Sequence, residues 1–178
     1  MRVRLTVLLS LPLIACNTGS PDLPPAPMCN EAGAADPLTD SLTTPVVSLA
    51  KDVAPILQMS CSIAGSTCHG DPSVTMQGRP YLGLPEGGID SKEIYTALVN
   101  VVSAEDPKLV LVAPGSLDES FLWQKVDNQQ CNFATDCNAT NNVEYLNCGL
   151  SMPYGNSALE LDQLNTIARW IAQGAKND

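Results

Sequence analysis

Of the seven cysteines in this chain, six lie between Cys29 and Cys148, and no other feature narrows the possible folds as much. Only 4% of the residues are aromatic, so the hydrophobic core is small and needs covalent support from disulfides, a bound group or both. That cysteine usage points to an oxidising compartment. The number is even, so every thiol after Cys16 can be paired.

The first residues agree with export. Met1 to Ile14 has a basic start at Arg2 and Arg4, followed by an apolar run from Leu5 to Ile14, too short to span a bilayer comfortably. Residues 1–15 are expected to be a secretory signal. Leu13-Ile14-Ala15-Cys16 resembles a bacterial lipobox, which implies that Cys16 is lipidated and anchors the protein in the cell envelope. Asn17 in second place implies no retention at the inner membrane, and hence the outer membrane.

Loss of residues 1–15 removes Arg2 and Arg4 from nine Lys plus Arg, leaving seven against nineteen Asp plus Glu, a net charge of −12. Such a surface repels phosphate, so nucleic acid is not an expected partner. It repels anionic headgroups as well, so contact with the membrane falls to the lipid anchor. An acidic surface serves solubility, and it also steers partners with a basic docking face.

Residues 16–47 carry Pro21, Pro24, Pro25, Pro27, Pro37 and Pro45 with little apolar periodicity, and read as a linker. The folded domain is expected over 48–178, as an all-α unit of about four short helices with long loops. The first helix is placed at Asp52 to Met59, with Asp52 as N-cap and Pro55 in the first turn. A second is placed from Ser91 to about Val101, and a third begins at the capping box Ser116-Leu117-Asp118-Glu119 with Phe121, Leu122 and Val126 inward. Lys108 to Ala113 is a strand or a buried extended segment. The last helix is capped by Ser157 with Glu160, carries Leu161, Leu164, Ile167, Ala168, Trp170 and Ile171 on its inner stripe, and ends at Gly174. Between the third and last helices, residues 127–148 are too polar to pack unaided. Cys131, Cys137 and Cys148 are disulfide candidates for stapling this insert, with Cys29 available to tie down the linker.

The chemistry concentrates in Cys61-Ser-Ile-Ala-Gly-Ser-Thr-Cys68-His69-Gly70, which holds the only histidine. A histidine directly after a cysteine, with a second cysteine upstream, is the arrangement that attaches haem: thiols bond the vinyl groups and imidazole ligates iron. Here six residues separate the cysteines where the usual signature has two. Met152, beside Pro153 in a loop before the last helix, is either core filling or a thioether ligand.

Val53-Ala54-Pro55-Ile56-Leu57, Cys68-His69-Gly70, Val112-Ala113-Pro114-Gly115 with Ser120-Phe121-Leu122, Met152-Pro153, and Arg169-Trp170-Ile171 with Gly174-Ala175 occur in an order that resembles a class I monohaem cytochrome c domain, of the lipoprotein and planctomycete type. The resemblance covers about Val47 to Ala175. It implies a cytochrome c-like fold and a haem c held by thioethers to Cys68 and Cys61, with His69 and Met152 as axial iron ligands. Two departures stand out, the six-residue gap and the polar cysteine-rich insert before Met152. With both axial positions filled, the implied role is one-electron transfer between redox partner proteins by a monomer, not enzymatic catalysis; no second histidine is present to act as acid or base. The alternative uses the same residues: Cys61 and Cys68 form a disulfide, and the domain is a haem-free, disulfide-stapled lipoprotein that binds a partner or has a structural role.

Overall fold

A computed structural model describes residues 41–62, 68–72, 80–84, 90–133, 137, 148–153 and 158–178. The signal, Cys16, Cys29 and most of the linker lie outside the described residues. Four α-helices are present among them: α1 Ala54–Cys61, α2 Ser91–Leu98, α3 Phe121–Val126 and α4 Leu161–Ala172. The all-α class is compatible with this, since among the described residues extended segments meet only through isolated bridges.

The helical stretch starts earlier than the sequence suggests, because a π-helical turn, Leu49–Val53, runs directly into α1, which itself begins at Ala54; Asp52 lies inside that turn and is not the N-cap. Ser48 is the cap. Its Oγ accepts from the Lys51 amide, and Asp52 returns the favour by accepting the Ser48 amide at 2.8 Å. Pro55 sits in the first α-helical turn, where a missing amide proton costs nothing. Leu49, Val53 and Leu57 are fully buried.

Helix α2 is capped by Asp90, not by Ser91, the other residue its sequence offers for the cap: Asp90 accepts from the Glu93 amide at 3.0 Å and Glu93 accepts from the Asp90 amide. It stops at Leu98, short of the anticipated Val101. Beyond Leu98 the backbone has a better option, pairing with the apolar run: Asn100 donates to the Val112 carbonyl and Leu111 to the Val101 carbonyl. The run is thus not a strand but an extended segment buried at residues 111–113, with Lys108 exposed. The same segment seats α3, whose Phe121 and Leu122 amides donate to the Val110 and Leu111 carbonyls. Ser116 Oγ accepts from the Glu119 amide, yet the helix proper begins only at Phe121, because Ser120 Oγ bonds back to the Ala113 amide and the Ser116 carbonyl.

Helix α4 is the central element. Ile167, Ala168, Trp170 and Ile171 have no exposure, whereas Leu161, placed on the inner stripe by periodicity, is half exposed. The expected Ser157 cap lies outside the described residues; the helix is capped by Glu160 with Gln163. Gly174, at φ +97°, turns the chain out of the helix, in a conformation that costs other residues a Cβ clash. The Gln173 side chain then clamps the end of the stretch assigned to the linker. Its Nε2 donates to the Leu42 and Pro45 carbonyls and its Oε1 accepts from the Val47 amide at 2.9 Å.

Candidate functional site

The sequence-predicted site residues fall into two groups. In the first, α1 delivers Cys61 and Ser62 into the core, and the chain returns at Cys68 to lie against that helix end. The His69 amide donates to the Cys61 carbonyl at 3.2 Å, and the Leu82 amide donates to the His69 carbonyl at 2.8 Å. Gly70 is at close quarters: a Cβ there would stand 2.7 Å from Leu84 Cδ2 and 2.9 Å from the Ser62 carbonyl oxygen. The backbone on either side of His69 is therefore fixed between α1 and residues 80–84.

The imidazole has a defined orientation too. Its Nδ1 is 2.8 Å from the Pro80 carbonyl, an acceptor only, so Nδ1 carries the proton and, in the neutral ring, Nε2 carries the lone pair. This is the arrangement by which proteins orient a histidine for metal ligation.

The two cysteines do not match that preparation. Cys61 is a free thiol, 7% exposed within the core, and burial pushes its pKa up to about 12. Cys68, half-buried, is in a disulfide, and Cys61 is free, so the Cys61–Cys68 disulfide that the sequence also allowed is not the one formed in this structure. A haem c needs cysteine sulfur for its thioether bonds. The sulfur of Cys68 is already bonded to another sulfur, and that of Cys61 is packed among apolar side chains, so the residues present do not fit covalent haem attachment.

The second group surrounds Met152. Its side chain is partly buried against the core, and its amide donates to the Lys125 carbonyl at 2.9 Å. The Lys125 side chain reaches the same segment from within the core. Its Nζ donates to the Cys148 carbonyl at 2.8 Å and to Glu105 Oε2 at 2.9 Å, and lies 5.6 Å from the centre of the Phe121 ring. Lys125 thus holds the chain at both Cys148 and Met152. Burial lowers the Lys125 pKa, and the Glu105 carboxylate acts in the opposite direction. Cys137 and Cys148 form a disulfide within the insert, Cys131 is disulfide-bonded as well, and Cys29 lies outside the described residues. Met59, on α1 and the other described methionine, is 69% exposed, and Met76 lies outside the described residues.

Lys125, Glu105 and Pro80 were not apparent as site residues. The signal for Lys125 was a lone charge between Leu122 and Val126 on the inward face of α3. Pro80 offered none, because its contribution is a backbone carbonyl. Among the described residues no three His, Cys, Asp or Glu side chains converge as a metal-binding group. Comparison with protein-family models, with curated proteins and with solved structures finds no match.

Proposed function

We propose that this chain is a haem-free, disulfide-stapled lipoprotein of the bacterial envelope, cytochrome c-like in the order of its elements, which acts as a binding or structural module. The observation that carries the reading is the Cys68 disulfide, which occupies the sulfur a haem would need. Cys16 supplies the lipid anchor at the outer membrane, and a mature charge of −12 favours a partner with a basic face. The test is to express the protein in a bacterial periplasm alongside a competent haem-attachment system, then record its absorbance and intact mass. The expected outcome is no visible absorbance and a mass short of the reduced chain only by the hydrogens lost to disulfides, plus the acyl groups. A Soret band, with haem that survives denaturing electrophoresis, would overturn the proposal.

The His69–Pro80 hydrogen bond favours a second reading. A histidine whose Nδ1–H is committed to a backbone carbonyl is prepared to ligate through Nε2. On that reading the protein is an electron carrier with haem c on His69 and Met152, and the Cys68 disulfide must first be reduced. The same spectrum and mass decide between the two.

A further inference from the structure

We infer that Cys61 is a resolving thiol for Cys68, so that the disulfide at Cys68 exchanges between its present partner and Cys61. The placement carries this. The hydrogen bond from the His69 amide to the Cys61 carbonyl, 3.2 Å long, joins the residue after Cys68 to Cys61 itself. Standard backbone dimensions then keep the two Cα atoms within about 8 Å, against the roughly 4.4–6.8 Å that a disulfide spans. Cys61 is the free thiol, and Cys68 is the nearby sulfur already in a disulfide. The fold therefore brings a free thiol and a disulfide-bonded cysteine onto adjacent stretches of backbone.

The step balances without an added oxidant or reductant. Cys61 gives its proton to water, and its thiolate attacks the Cys68 sulfur. The Cys61–Cys68 bond forms as the bond from Cys68 to its present partner breaks, and that partner leaves as a thiolate and takes up a proton. One disulfide and one thiol are present before and after. What changes is the tether: the bridge closes between neighbours at the end of α1, and the former partner of Cys68 is released.

Burial of Cys61 holds the resting arrangement in place, because the thiol is shielded until α1 loosens at its C-terminal turn. The backbone of His69 and Gly70, gripped by Cys61, Ser62, Leu82 and Leu84, keeps Cys68 within range in the meantime.

This inference rests on the haem-free reading, since a thioether at Cys68 would leave no disulfide to exchange. The full chain is held folded in a glutathione redox buffer, quenched at intervals with iodoacetamide in denaturant, so that buried Cys61 also reacts, and digested with trypsin without reduction. No Lys or Arg lies between Cys61 and Cys68, so both fall in one peptide, in which an internal bridge shows as an unalkylated mass two hydrogens below the reduced form. The expected result is that this bridged peptide grows from nothing to a major fraction while Cys61 alkylation falls in proportion. A different cysteine should become alkylated to the same extent. In Cys61→Ala, and in Cys61→Ser should the first fold poorly, neither change should occur. Cys61 that stays fully alkylated, with Cys68 still on its starting partner, overturns the exchange alone. Haem found on Cys68 overturns both the exchange and the haem-free reading.

Discussion

Replacing Lys125 with Met keeps the length and most of the volume of a buried side chain while deleting its charge, and so isolates what the ammonium does. Lys125 and Glu105 are 7% and 15% exposed, so the pair is largely but unequally removed from water. Without the ammonium, the Cys148 carbonyl, on a residue with no exposure, loses its donor, while the better-hydrated Glu105 recovers part of its loss from solvent. An orphaned buried acceptor costs about 1–3 kcal/mol, and a methionine stem retains the apolar contacts. The expected destabilisation is about 2 kcal/mol, or roughly 6–10 °C in Tm for a domain of this size. Glu105→Gln should cost more, about 3 kcal/mol, because it strands the more deeply buried charge. The double variant should lose less than the two single losses together. Thermal unfolding followed by circular dichroism measures all three. A Lys125→Met variant as stable as the parent, or a Glu105→Gln variant milder than Lys125→Met, would refute this account of the core.

The same lysine fixes a sign for the effect of pH. Its folded pKa lies below the ordinary value of 10.5, so toward that value the native state holds fewer protons than the unfolded chain, and stability rises with pH. The gap in Tm between parent and Lys125→Met should therefore widen in favour of the parent as pH climbs toward 10.5, and a gap that shrinks would contradict the burial cause.

Gly70→Ala should cost about 1–3 kcal/mol, since its Cβ would meet the Ser62 carbonyl oxygen, which is backbone and cannot simply rotate away; denaturant unfolding with an unchanged midpoint would refute the close approach. Gln173→Ala removes three hydrogen bonds to residues 42–47 and should cost about 1–2 kcal/mol, with faster proteolysis confined to that segment as the specific sign. Trp170→Phe leaves the Lys176 carbonyl without its indole donor and a gap at a site with no exposure, so a loss of about 2–3 kcal/mol is expected by calorimetry.

Local chemistry was enough to locate the helices. The Asp90–Glu93 box, the stripe from Ile167 to Ile171 and Gly174 past its end all act through neighbours a few residues apart, and the sequence alone determined them. Helix lengths were another matter. Whether α2 continued past Leu98 depended on Leu111 and Val112, more than ten residues removed, offering backbone partners that a helix would have had to forgo. The clamp of Gln173 on residues 42–47 joins opposite ends of the domain and left no periodic trace. The candidate site divides the same way. Residue types and order singled out Cys61, Cys68, His69 and Met152, but the state of a cysteine depends on which sulfur lies within bonding distance. Only the tertiary structure put Cys61 in the core as a free thiol, tied Cys68 into a disulfide and set the proton of His69 by placing the Pro80 carbonyl against its ring.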